Sequence, residues 1–226
     1  APEIQAFLRK TDLGFLFEDL PRLLQSMQVG TDRIREIVTS LRNFSRVDEA
    51  EVKAVNIHEG IDSTLMLLQN RLKPSLESTG IQVVKDYGKL PLVECYPGQL
   101  NQVFMNLLSH AINTLEEYKK RRSLEDIKAN QSLIRISTLV INKDWVGIYI
   151  ADNGPGMTED VRSHLFDPLF VTKSGGKGNG LALSISHQIV ADKHGGKLYC
   201  NSAPGDGTEF VIEIPVRQDM SKNLGY

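Results

Sequence analysis

In the stretch NLLSHAINTL, residues 106–115, Asn106, His110 and Asn113 stand at i, i+4 and i+7. That spacing brings three polar side chains to one face of a helix. Gln99, Gln102 and Glu117 extend the row, opposite an apolar face of Leu100, Val103, Phe104, Leu107, Leu108, Ala111 and Leu115. Asparagine is a poor interior helix residue because its amide competes for the backbone. A solvated face and the wall of a binding site both fit this row. In YIADNGPGM, 149–157, a β-run ends in Asp152, and Gly154 and Gly156 follow at a two-residue step. A carboxylate at a strand end can accept hydrogen bonds from a ligand amine while glycine lets the ligand approach closely; NGPG is equally a good turn. In KSGGKGNGLALSISHQIV, 173–190, a glycine-rich run with Lys173 and Lys177 leads directly into an amphipathic helix. Backbone amides at such a helix start make a phosphate cradle. The run is not a Walker loop, lacking GxxxxGK[ST], nor a dinucleotide fingerprint, since its glycines follow a loop rather than a strand. GDGTEF, 205–210, is another tight turn entering a strand.

The polar row needs a long helix, predicted over 97–122 and opened by Pro97, which suits a first helical turn. Asp152 needs a strand, predicted over 145–152 and paired with 132–141 through the turn NKD. Further β-runs fall at 81–87, 92–96, 197–201 and 208–215, and a further helix at 181–193. Strand pairs joined by short turns and interleaved with helices predict an α+β fold, a two-layer α/β sandwich whose mixed sheet has helices on one face. NIHEGIDSTLMLLQNRL begins another helix, with Asn56 and Glu59 as a capping box and Ile57, Ile61, Leu65 and Leu68 as its apolar face. His58, in its first turn, reads as a surface residue. The charged stretch RVDEAEVKAV, 46–55, reads as a linker. Before it, Leu20, Leu24, Met27, Ile34, Val38 and Leu41 step by fours and threes with Thr31 in the one polar slot, and Leu23, Ile37 and Phe44 form a second stripe. A helix with two stripes needs a partner helix. The expected division is a helical segment 1–50, a globular domain 51–217 and a tail 218–226.

The chain has 226 residues, 41% hydrophobic and 24% charged, enough for a sizeable core. A net charge of -2 gives no electrostatic case for nucleic acid or an anionic membrane. The basic run Lys119–Arg122 is expected to end a helix, where cations complement the macrodipole. Cys95 and Cys200 lack metal-type spacing, and a reduced, cytoplasmic setting is the expectation. No apolar run approaches the ~20 residues of a membrane span. Ala1 in place of a methionine suggests a fragment or processed start.

The order of these boxes, an asparagine helix, a strand ending DNGPGM, then FDPLF, GKGNGLAL and GDGTEF, resembles the ATP-binding domain of sensor histidine kinases. That domain shares a superfamily with gyrase B subunits, heat-shock chaperone ATPases and mismatch-repair ATPases. The resemblance covers about 55–215, and cyanobacterial-type kinases carry similar wording. GTDRIREIVTSLRNFSR looks like the second helix of the kinase dimerisation hairpin, implying a homodimer through residues 20–45. The resemblance implies ATP and Mg²⁺ as ligands and a response-regulator receiver domain as partner in a two-component phosphorelay. Asp152 would accept the adenine amine, with Gly154 and Gly156 admitting the base and Thr208 nearby through its hydroxyl or water. Phe166 and Phe170 would anchor a mobile lid, about 157–178, in which Thr172 and Lys173 reach the γ-phosphate. Gly176, Lys177, Gly178, Asn179, Gly180 and Leu181 would form the phosphate-binding run. Asn106, His110 and Asn113 would line the triphosphate from the helix side, Asn106 and His110 being the positions for the metal.

The sequence departs from the family pattern in four places, one being Asn113, which stands where the family often has an acidic or basic residue. The helix box of the family, N-L-x-x-N-A, has a metal-binding second asparagine, and here that position is His110. Mg²⁺ prefers oxygen ligands in an octahedron, whereas imidazole suits zinc, copper, nickel or iron. Ala182 replaces a glycine, adding a methyl expected to crowd the helix start. No phosphoacceptor box occurs in 1–50, which has no histidine; the others, His58, His110, His164, His187 and His194, lie in other settings. The acceptor is therefore expected upstream of Ala1. The reading is the catalytic portion of a histidine kinase; a degenerate module that binds nucleotide or a partner without turnover is the alternative, and a superfamily ATPase driving conformational cycling a third.

Overall fold

The computed structural model describes residues 19–28, 30, 31, 35, 38, 51–74, 79–168 and 181–218. The chain divides into two compact units, 1–40 and 41–226. In the first, the described residues are helical, and Thr31 Oγ1 donates to the Met27 carbonyl, so the polar slot in the seam is filled by a bond to its own helix. Leu20, Leu23, Leu24, Met27 and Val38 are all exposed. Ile34, Ile37, Leu41 and Phe44 lie outside the described residues.

The second unit builds its core from alternation. Strands β1 (Lys53–Val55), β2 (Gln82–Tyr87), β3 (Val93–Cys95), β4 (Leu133–Asn142), β5 (Trp145–Asp152), β6 (Lys197–Ser202) and β7 (Thr208–Pro215) form two sheets. β1 and β3 make a small antiparallel pair, and the main sheet has the order β2-β4-β5-β7-β6, with only β2–β4 parallel. Side chains alternate across a strand, so one face collects Ile134, Ile136, Ile148, Ile150, Phe210 and Ile212, all buried. Helices α1 (Ile57–Leu72) and α2 (Pro97–Lys119) cover that face, with Leu100, Val103, Phe104, Leu107, Leu108, Ala111 and Leu115 buried in one cluster with the strands. Each such side chain contributes roughly 1.5–3 kcal/mol by leaving water. The fold is the mixed sheet with helices on one face that the sequence predicts.

Differences from the sequence reading have local causes. Residues 53–55, expected in a linker, form β1 because they find β3 as a partner. Asn56 caps α1 by accepting from the His58 amide at 3.1 Å, while Glu59 meets the Asn56 side chain at 3.4 Å rather than its backbone amide. α2 stops at Lys119, short of the basic run's end, and Arg122 instead donates to carbonyls of the next helix, α3 (Leu124–Ala129). Ser123 caps α3, accepting from the Asp126 amide at 3.1 Å and donating to its carboxylate at 2.6 Å. His58 is not a free surface residue. Its Nε2 lies 2.9 Å from Thr138 Oγ1, and its ring stacks on Tyr87 with centroids 4.2 Å apart.

Candidate functional site

The core rows of the main sheet are apolar apart from Thr138 until the last. Ile136, Ile150, Phe210 and Cys200 are cross-strand neighbours, and the next row along the same face is Ile134, Asp152, Thr208 and Ser202. Strand alternation thus carries a carboxylate and two hydroxyls into the buried face at the sheet's end.

Asp152 is 6% exposed. Its Oδ1 accepts the Gly154 amide at 2.8 Å, and its Oδ2 is buried without a partner among the described residues. Burial pushes the carboxyl up to about 6, against the lowering effect of the Gly154 N–H. An orphaned buried carboxylate oxygen is costly, and it is an acceptor in want of a donor. A Cβ at Gly154 would stand 2.6 Å from Asp152 Oδ1 and 3.2 Å from Thr114 Cγ2. The missing side chain therefore leaves room against the carboxylate.

Gly156, with φ +68°, serves the loops instead: a Cβ there would run into the Ala203 carbonyl oxygen. The facing Gly207, φ +78°, similarly packs on the Asp152 carbonyl. The two loops are tied by Gly205 N–H to Pro155 O at 2.8 Å. Ser202 Oγ donates to Gly207 O at 2.7 Å and accepts from the Met157 amide at 2.9 Å. Its one proton is used, so in the 3.1 Å pair with Thr208 Oγ1 the Thr208 hydroxyl is the donor. Thr208 keeps lone pairs for a ligand or water.

On the helix side, Asn106 Nδ2 donates to Ala182 O and to Ser186 Oγ, both at 3.0 Å. Both amide hydrogens are spent clamping α2 to the first turn of α5 (Ala182–Gln188), leaving Oδ1 as the atom for other work. His110 follows one turn on, its ring edge-to-face with Phe210 at 5.4 Å. Its Nδ1 is buried with no hydrogen-bond partner, and burial pushes the imidazole down to about 4. Asn113 does not join this group. It is exposed and accepts from Arg71 at 2.7 Å, because the last turn of α1 reaches across to Asn113 and Glu116 together. Thr114 takes the next place, against Gly154.

Residues 157–168, expected as the start of a lid, are packed: Leu165 is 2% exposed, and Met157 and Phe166 lie against the core. They include the short helix α4 (Glu159–Ser163), and the Phe166 ring sits 5.3 Å from the His187 ring. Phe170, Thr172, Lys173, Gly176, Lys177, Gly178, Asn179 and Gly180 lie outside the described residues. Leu181 is exposed at the start of α5, and Ala182 is exposed too, so its methyl does not obstruct the helix.

Thr114, Ser186 and Ser202 were not singled out by the sequence reading. Ser202 was within reach, since the hairpin 197–215 sets it opposite Thr208. Ser186 and Thr114 carry only the i+4 signal, from Ala182 and His110.

Residues 95–218 match the family model described as histidine kinase-, DNA gyrase B-, and HSP90-like ATPase. Sporulation kinase E of Bacillus subtilis (strain 168) is 29% identical over 190 residues, 84% of this chain and 23% of that protein. The sensory histidine kinase/phosphatase NtrB of Rhizobium leguminosarum bv. phaseoli is 33% identical over 197 residues, 84% of this chain and 48% of that protein. The chain thus spans less than half the length of either relative. The catalytic domain of the histidine kinase ThkA superposes with a TM-score of 0.59 at 26% identity, covering 74% of this chain and 97% of that one. With more than half its length in the matched domain, and the buried Asp152 and the Asn106 helix both inside it, the chain belongs to the histidine kinase-, DNA gyrase B-, and HSP90-like ATPase family.

Proposed function

We propose that this chain is the ATP-binding catalytic portion of a sensor histidine kinase. The observation that carries the reading is the Asp152 carboxylate, buried at the sheet's polar end with Oδ2 unpartnered. It accepts the adenine exocyclic amine, and Thr208 receives a ligand or water proton beside it. Asn106 and His110 line the triphosphate from α2. The glycine-rich run 176–180, with Lys173 and Lys177, holds the phosphates. The γ-phosphoryl then passes to a histidine carried outside this sequence. A bond forms from an imidazole nitrogen to phosphorus, the β–γ bridging P–O bond breaks, and ADP leaves. Positioning and charge neutralisation supply the catalysis. A receiver domain of a response regulator takes the phosphoryl group next, in a cytoplasmic phosphorelay. The relatives are named as kinases, which favours this reading over a module that binds without turnover.

The exposed apolar side chains of the helical unit support a homodimer through residues 20–45. No helix among the described residues is long and apolar enough to cross a membrane.

Mg²⁺ held through His110 does not fit the residue present. The ion requires oxygen at near-ideal octahedral geometry, and the position in question offers an imidazole whose inner nitrogen is an orphan. Among the described residues no group of three or more His, Cys, Asp or Glu could hold a metal ion. No catalytic step is therefore assigned to a metal.

The test is calorimetric titration with ATP, followed by phosphate transfer from labelled ATP to a supplied hairpin helix bearing a histidine. Binding and transfer are expected. Failure of transfer by folded, ATP-bound protein would exclude the kinase reading.

A further inference from the structure

A neutral imidazole carries one proton on one of two nitrogens. At His110 the packing decides which. Nδ1 is buried with no hydrogen-bond partner among the described residues, and the ring stands edge-to-face on Phe210. An N–H at Nδ1 would find no acceptor among the described residues, and a buried N–H without an acceptor is among the rarest defects in folded proteins. The proton therefore belongs on Nε2. A histidine that binds a metal does so through a bare nitrogen and donates its other N–H to a carboxylate, carbonyl or water. Coordination through Nε2 would drive the proton onto Nδ1, where no such acceptor stands.

The same ring lies one turn after Asn106, whose amide hydrogens are both spent on Ala182 and Ser186, and one turn before Thr114 beside Gly154. We infer that His110 replaces the metal in the nucleotide site: its Nε2–H donates to a phosphate oxygen of ATP, and the chain binds ATP without needing Mg²⁺. This rests on the ATP-site reading and adds how the triphosphate charge is met on the α2 side. Asn106, with only Oδ1 to offer, cannot supply that donor. His110 is a binding residue that sets the metal dependence of the site.

Two measurements on the whole chain test it. Long-range ¹H–¹⁵N correlation of the free protein reads the tautomer directly, with the proton expected on Nε2; a proton on Nδ1 overturns the proposal. Calorimetric titrations with ATP, in Mg²⁺ and in EDTA, are then run on the unsubstituted chain, His110→Asn and His110→Phe. In the unsubstituted chain the two affinities should agree within about threefold, and His110→Asn, restoring an amide oxygen, should gain about tenfold from Mg²⁺, the lower end of what metal-site changes cost. His110→Phe keeps the packing on Phe210 but loses the donor, so ATP should bind about tenfold more weakly, the worth of one charge-assisted hydrogen bond, with adenosine affinity unchanged. Tenfold or greater Mg²⁺ dependence in the unsubstituted chain overturns the metal-free proposal alone. Absence of ATP binding in every chain overturns the nucleotide reading and this inference with it.

Discussion

Asp152 stands at the end of a buried row, and the fold bears the cost of keeping it charged. Burial raises its carboxyl to about 6 from the ordinary 3.8. A raised pKa means the folded protein binds more protons than the unfolded chain between these two values, so this residue's contribution to stability grows as pH falls through that window. At neutral pH the charged carboxylate is a liability, tolerated for its use as an acceptor. Asp152→Asn should therefore stabilise the free protein by about 1 kcal/mol in denaturant unfolding, while weakening ATP binding at least about tenfold. A destabilised variant would count against the orphaned-oxygen account. ATP affinity of the unsubstituted chain should also fall as pH drops through about 6, where the acceptor becomes protonated.

Two buried imidazoles, His194 and His110, act in the opposite sense. His194 is fully buried, placing Nδ1 2.8 Å from Ile189 O and accepting the Tyr96 amide on Nε2 at 3.1 Å, and burial lowers its pKa below 6.5. His110 is lowered to about 4. Here the unfolded chain binds more protons, so stability present above pH 6.5 is lost as pH falls towards 4. Unfolding midpoints measured across pH 7 to 4 should decline. The decline should be steeper in Asp152→Asn, because the opposing carboxylate contribution is gone.

Among the elements, the clamp between α2 and α5 is the one the site depends on most. Ser186 is fully buried and donates to Ala182 O at 2.7 Å while accepting from Asn106. Asn106→Ala leaves Ser186 with its own donor bond but takes two bonds away, so thermal unfolding should show a loss of about 1–2 kcal/mol. A loss confined to ATP affinity would show that Asn106 serves the ligand and not the clamp.

Legibility in the sequence followed from how regular each element is. β5 and β7 alternate cleanly, and their predicted spans coincide with the observed ones. β1 has three residues in a charged stretch, too few for any period to show. α3 carried the Ser123-to-Asp126 capping signature, but only Ile127 is buried among its described side chains, so no apolar stripe announced it. The final turn of the α5 helix widens into a π-helix over Ile189–Lys193, which nothing in the sequence signals. Of the polar end of the sheet, the strand-end positions of Asp152 and Thr208 were legible from the β-runs and glycine turns beside them. Asn113 was misplaced because helical spacing ignores a competitor: Arg71, on another helix, claims its amide. His58 was misread for the same reason, since Tyr87 and Thr138 lie far along the chain.

At the scale of the whole molecule, the proposed function gives the two units separate tasks. Leu20, Leu23, Leu24, Met27 and Val38 are exposed on a helix that cannot bury them alone. Replacing Leu24 and Met27 together by glutamate should convert a dimer to a monomer in sedimentation velocity and leave ATP affinity unchanged. Loss of ATP binding in that variant would contradict the separation of association from nucleotide binding.

The central claim is that the polar end of the sheet is an ATP site centred on Asp152. Calorimetric titration with ATP of the unsubstituted chain and of Asp152→Ala, both confirmed folded, tests it most directly. The account predicts saturable, one-to-one binding in the first and at least about a hundredfold loss in the second, the cost of removing a buried charged acceptor. Equal affinity in the two proteins, or no binding by either, would contradict it.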